Sequence, residues 1–151
     1  MDVPKSLPNG QLLLSITSLS RERLNAGSRA AVSLPLLREI FSIAISKLAF
    51  DEDFYLSTYQ DIRAAYESGD ISDLQEHFIE QGYFEGRLGV DPKVDAEFYA
   101  ETYPDVAAAI ASGAVGSAQE HYVRAGAFEG RSANSEDKQI ITRWLRLAGK
   151  L

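Results

Sequence analysis

The chain repeats itself. Shifted by 44 places, residues 50–87 fall on residues 94–131 over 38 consecutive positions without a gap, and 18 of those positions are identical. An internal period of about 20 to 50 residues means that one small unit has been copied, each copy being too short to bury its apolar face except by stacking on a neighbour. Asp51/Asp95, Phe54/Phe98, Tyr55/Tyr99, Thr58/Thr102, Tyr59/Tyr103 and Asp61/Asp105 cluster at the head of each copy. His77/His121, Gly82/Gly126 and the Glu-Gly-Arg endings at Arg87 and Arg131 close it.

Each copy reads as three short helices. Asp51 and Asp95 stand where an N-cap belongs, ahead of Phe54, Tyr55, Thr58 and Tyr59 on one helical face. A second helix starts near Asp61 or Asp105, the latter preceded by Pro104, and stops at Gly69 or Gly113. Proline at helix starts and glycine just past helix ends follow from the backbone groups left unpaired at each terminus. A third helix is expected from about Ser72 or Ser117 to Gly82 or Gly126. Leu74, His77, Phe78 and Gln81 form its inner face in the first copy, and Ala118, His121, Tyr122 and Ala125 in the second.

The positions that differ sort outside from inside. Arg63/Ala107, Glu67/Ala111, Asp70/Ala114 and Glu80/Arg124 exchange charge for neutrality or for the opposite charge, so they are expected in water. Phe78/Tyr122 and Tyr66/Ile110 keep their bulk and are expected inside. His77 and His121, the only histidines, lie on the apolar stripe. They are read as core histidines bonded to a backbone carbonyl or a repeated acid, because zinc needs three or four convergent ligands and the adjacent Glu76 and Glu120 point about a third of a turn away. Arg87 and Arg131 are read as pairing with an acid of their own copy, the alternative being a grip for an anion or carboxylate. Asp61, Asp105, His77, His121, Arg87 and Arg131 thus form a structural signature. The acids at 51–53 and 91–97 suggest calcium, but no glycine-punctuated loop accompanies them, so they are assigned to helix capping. No cofactor is expected.

The run Phe50-Asp51-x-x-Phe54-Tyr55-Leu56-x-x-Tyr59-x-Asp61-Ile62, followed by His77-Phe78-x-x-x-Gly82-x-x-Glu85-Gly86-Arg87, resembles a short repeat found in tandem in bacterial proteins. That repeat accompanies glycosyltransferase-like and other cell-surface-polysaccharide proteins, and some secreted calcium-binding proteins. The resemblance covers about half the chain and implies an accessory module with no catalytic role. The second copy departs from the pattern with Val94 for the leading Phe and Ala100 for the Leu.

The flanks carry no such likeness. Residues 1–10 are expected to be a flexible N-terminus and residues 11–49 a helical segment. Within it, Leu12, Leu14 and Ile16 alternate as in a strand, whereas Leu12, Ile16 and Leu19 fit a helix, which is the reading taken for 11–24. Ser33 and Pro35 open a helix to about Ala49 whose Leu36, Leu37, Ile40, Phe41, Ala44, Ile45 and Leu48 crowd most of its circumference. So broad a surface needs cover from the first copy or from a second chain, which makes Leu36, Leu37, Ile40 and Phe41 candidates for self-association. Residues 135–151 form an amphipathic helix, with Ile140, Ile141, Trp144, Leu145 and Ala148 on one face and Lys138, Arg143, Arg146 and Lys150 around the rest. Docking of Trp144 onto the core is the expected arrangement; contact of Trp144, Arg143 and Arg146 with a partner or a membrane surface is the alternative.

Charge divides along the same boundaries. Residues 1–50 carry +3 and residues 138–151 carry +4, whereas residues 51–137 hold five bases against nineteen acids and stand at −14. Phosphate would be repelled from such a surface, so nucleic acid is not an expected ligand. Cysteine is absent, which removes disulfides, thiolate metal sites and a cysteine nucleophile. The N-terminus lacks the basic start and apolar segment of a cleaved signal, and Arg38, Glu39 and Lys47 interrupt the most hydrophobic stretch. A cytoplasmic location is expected, with signal-independent secretion left open.

No nucleophile elbow, phosphate loop or nucleotide fingerprint occurs. These features together predict an all-α protein of two tandem three-helix repeats, residues 50–93 and 94–134, flanked by N-terminal and C-terminal helices. The expected function is that of a non-catalytic protein-interaction or scaffold module, binding a protein partner or itself as a homo-oligomer, and accessory to bacterial surface-polysaccharide production. A carbohydrate-binding module displaying the repeated tyrosines, and a peripheral adaptor on anionic membranes, are the alternatives.

Overall fold

A computed structural model describes residues 7–26 and 29–151. Every regular element among these residues is helical. Residues 1–6, most of the stretch expected to be flexible, lie outside the described residues, and Gly10 already opens a helix. Helix α1 (Gly10–Ile16) is capped by the Asn9 side chain and α2 (Arg21–Asn25) by Ser20, so the ambiguous segment is helical in both halves. Helix α3 (Leu34–Ile45) has proline in its first turn and ends four residues short of the expected Ala49. There the chain turns, with the Ser46 hydroxyl bonding back to the Ile43 carbonyl at 2.8 Å.

The two copies then fold in matching order. In the first, Asp51 caps α4 (Glu52–Thr58), α5 (Gln60–Ser68) ends at left-handed Gly69, and α6 (Leu74–His77) runs into a π turn at Phe78–Gly82. In the second, Asp95 caps α7 (Ala96–Thr102), Pro104 opens α8 (Pro104–Ala111), and α9 (Ala118–His121) runs into a π turn at Tyr122–Gly126. The cap of α6 is Asp73 rather than Ser72, and it is the counterpart of Ser117, so an acid and a hydroxyl do the same work. Helix α10 (Ser135–Leu147) closes the chain, capped by Asn134.

The π turns correct the expected inner face of the third helix. Tyr83 N–H donates to the Phe78 carbonyl and Ala127 N–H to the Tyr122 carbonyl, a five-residue span that inserts one residue into the helical register. Beyond the insertion Ile79 and Gly82 face inward, and Gln81, expected inside, is exposed.

Two small cores result. Ile45, Tyr55, Ile62, Leu74, Phe78 and Ile79 form the first, and Tyr99, Val106, Ala118, Tyr122 and Ala133 the second. Ile45 shows that the first copy covers part of α3, whose Ser42 and Ile43 are also buried. Tyr66, expected inside, is 42% exposed, whereas its counterpart Ile110 packs against the second core. Leu88, just past the first copy, packs against the second core, and the Phe128 ring lies against the Gly86 backbone, so each copy reaches into the other.

Tyr55 and Tyr99 are fully buried and reach across to the third helix, where a Cβ on Gly82 or Gly126 would sit 2.2 Å from the tyrosine hydroxyl. Gly82→Ala is therefore expected to destabilise the fold by about 1–3 kcal/mol, the range for overpacking. The same substitution in a Tyr55→Phe background, where the hydroxyl is gone, should cost less. Urea unfolding of the four proteins gives the coupling, and additive costs would rule out this wedge.

Candidate functional site

The most polar clusters lie where the head of each copy meets its ending. Tyr59 Oη accepts from the Leu88 N–H and Tyr103 Oη from the Ser132 N–H, both at 2.7 Å. Over these rings lie the guanidinium groups of Arg87, 4.9 Å from the Tyr59 centroid, and Arg131, 4.8 Å from that of Tyr103. Arg87 donates to both oxygens of Asp61 at 3.1 and 2.7 Å and to Glu85 at 2.9 Å. Arg131 does the same to Asp105 at 3.0 and 2.7 Å and to Glu129 at 2.6 Å. The hydrogen bonds from Arg87 hold the Asp61 carboxyl below its ordinary range, and those from Arg131 bring Asp105 down to about 2. Each guanidinium is thus occupied by carboxylates of its own copy, which leaves no open fork for an external anion.

The histidines bond differently from expectation. Nδ1 of His77 meets the Tyr55 hydroxyl at 3.1 Å and Nδ1 of His121 meets that of Tyr99 at 3.0 Å, in place of a backbone carbonyl or an acid. The signal was present in the sequence, since these tyrosines recur at the same offset as the histidines, but spacing alone does not say which repeated partner is used. Burial lowers the His77 pKa. Among the described residues no protein group bonds Nε2 of either ring.

Each histidine lines a groove, which the sequence did not reveal. The first, of about 560 Å³, lies between α3 and the α6 region and is lined by Glu39, Asp70, Asp73, Glu76 and Glu80 together with Arg38, Ser42 and His77. Glu80, expected free in water, is half-buried and bonded by Arg38 and by the Ser42 hydroxyl. The second groove, of about 360 Å³, is lined by the 44-place counterparts Ala114, Val115, Glu120, His121, Arg124 and Ala125. Here Glu120 accepts from Arg124 and from the Gly116 N–H, both at 2.9 Å. One groove is acidic and walled by α3; the other is neutral and self-paired. Among the described residues no three metal-ligating side chains converge.

The repeated tyrosines offer no platform for a sugar ring. Tyr55 and Tyr99 are buried, and Tyr59 and Tyr103 are capped by the arginines. On α3, Leu36, Leu37 and Ile40 are half-buried, whereas Phe41 is exposed and meets Phe84 at 6.2 Å between centroids. Trp144 does not dock on the core. It is 68% exposed, α10 has no buried residue, and Ile140 and Leu147 extend the apolar stripe on either side of it. The polar contacts that hold α10 are at its first turn, and beyond it only Ile141 and Thr142 are half-buried among the described residues. Asp137 accepts from the Ala133 N–H, the Asn134 amide donates to the Lys93 carbonyl, and Lys138 lies over the Phe98 ring. Arg143 and Arg146, both exposed, flank the stripe.

No helix among the described residues is long and apolar enough to cross a membrane. No family model, curated protein or solved structure matches the chain.

The His77 environment sets a pH dependence. Its folded pKa lies below the ordinary 6.5, so the unfolded chain takes up the proton first. Its contribution to stability is full above 6.5 and falls as pH drops through that value. Urea unfolding between about pH 7.5 and about pH 5.5 should show this loss, and His77→Gln should flatten the slope. A separate loss, from Asp61 and Asp105, is expected as pH falls from 3.8 toward about 2.

Proposed function

We propose that this chain is a non-catalytic interaction module. Two tandem three-helix repeats serve as a rigid base, and α10 is the element held out for a protein partner. The exposure of Trp144 on a helix with no buried residue carries this reading. A large aromatic left in water beside Ile140 and Leu147 and flanked by arginine is the composition of a binding hot spot. The groups a reaction would need are engaged in holding the base together: both histidines are fixed by buried tyrosine hydroxyls and both signature arginines by carboxylates. The acidic groove gathers carboxylates near His77, whose Nδ1 is held by the Tyr55 hydroxyl. The resemblance of both copies to the repeat of surface-polysaccharide-associated bacterial proteins supports an accessory role beside that machinery.

Trp144 is the only tryptophan, so its fluorescence reports the site directly. The free protein should emit as solvated indole and be quenched readily by iodide. Trp144→Ala should change unfolding free energy by no more than about 0.5 kcal/mol, as for a surface position. A partner captured from the native cell by the intact protein should be lost with Trp144→Ala/Leu147→Ala. If that variant retains every captured partner, or the single substitution is strongly destabilising, α10 belongs to the fold and the reading is wrong.

A further inference from the structure

We infer that the partner of α10 is a second copy of this chain, whose acidic groove between α3 and α6 receives the basic helix head to tail. The inference rests on the reading of α10 as a docking element. Charge complementarity carries it. Even without Glu76, Glu39, Asp70, Asp73 and Glu80 against Arg38 leave the described groove lining at a formal −3, and residues 138–151 carry +4 with no acid among them. The second groove does not compete for α10, because Glu120 and Arg124 neutralise each other there. Within one molecule α10 starts from the second copy and lines none of the acidic groove. An anionic bilayer is the less favoured occupant, because the −14 segment that carries α10 would approach the same surface.

Donor helix and acceptor groove are different surfaces, so the contact is heterologous and builds rings or open chains rather than a two-fold dimer. Opposite charges within contact distance make it weaken with salt.

Reciprocal charge reversal tests it by sedimentation velocity. Glu39 and Asp70 are exposed and cap no helix, so Glu39→Arg/Asp70→Arg takes four units of negative charge from the groove, and Arg143→Glu/Arg146→Glu takes four units of positive charge from the helix, without touching the cores. At about 50 mM salt the wild type should self-associate, each double variant should associate at least about tenfold more weakly, and an equimolar mixture of the two should recover association. Wild-type association that the mixture fails to recover overturns the groove as acceptor. A wild type that stays monomeric at on the order of 100 µM overturns the second copy as partner. In that case a blue shift of Trp144 emission on anionic phospholipid vesicles would hand α10 to a membrane and leave its docking role standing. Association unaltered by Trp144→Ala and by Arg143→Glu/Arg146→Glu would remove that role as well.

Discussion

Each copy is organised around a tyrosine hydroxyl pressed against a glycine. Tyr55 and Tyr99 have no exposed surface, yet each carries a polar atom into the interior, and an interior hydroxyl without a partner would cost about 1–3 kcal/mol. The histidine Nδ1 at 3.0 to 3.1 Å is that partner. It can be reached only if the third helix passes close by, and the approach is permitted because the helix offers no Cβ at Gly82 or Gly126. The wedge therefore sets the distance between the first and third helices, points the histidine ring, and coincides with the π turn that shifts the helical register. Among the described residues no buried side-chain nitrogen or oxygen is left without a hydrogen bond, so these polar insertions raise specificity with little loss of stability.

A second layer closes each copy on itself. The chain leaving Arg87 donates its Leu88 N–H to Tyr59, and the Gly89 carbonyl then accepts from the Asp51 N–H at 2.8 Å. At the second ending Ser132 donates to Tyr103, and the Ala133 carbonyl accepts from the Asp95 N–H at 3.0 Å. Head and tail are thus bonded through backbone, and the arginine laid over the tyrosine ring screens that junction from water. A unit closed in this way can be appended to another without altering either, which is the condition for a repeating architecture. Neighbours are coupled by Leu88 against the second core, by Phe128 against Gly86, and by the Gln119 amide, which donates to the Asp91 carboxylate and the Pro92 carbonyl.

The duplication made much of this legible. Helix caps at Asp51 and Asp95, the left-handed glycines, and the pairing of Arg87 and Arg131 within their own copies all follow from local backbone needs or from one-to-one recurrence. The histidine partners were less legible, because tyrosine, backbone carbonyl and acid all recur. Tyr66 and Gln81 were misplaced for two different physical reasons. A tyrosine at a core margin can keep one edge wet, and the inserted π residue moves every later position by about a third of a turn. Trp144 was misread because an amphipathic pattern says that a helix has an apolar face, and says nothing about whether the rest of the chain is long enough or near enough to cover it. The first groove was invisible because its walls come from segments far apart in sequence, α3 and the stretch around Asp70 to Gln81.

The substitutions between copies acquire meaning once the grooves are superimposed. Tyrosine, histidine, glycine and arginine stay fixed, so the histidine that lines each groove is held by the same bond in both. What changes is charge at the rim: Asp70 becomes Ala114 and Glu80 becomes Arg124. The loss of Asp70 and the reversal of Glu80 convert one acidic rim into a self-neutralised one, and the acidic version is the one that α3 deepens through Arg38 and Ser42. Solubility alone does not require such a division, since scattered acids would serve equally well. Concentrating carboxylates on one groove while removing them from the other, with +4 and an exposed tryptophan on residues 138–151, makes the groove and α10 electrostatically unlike. In the inferred head-to-tail contact, that contrast fixes a single orientation of one copy against the next.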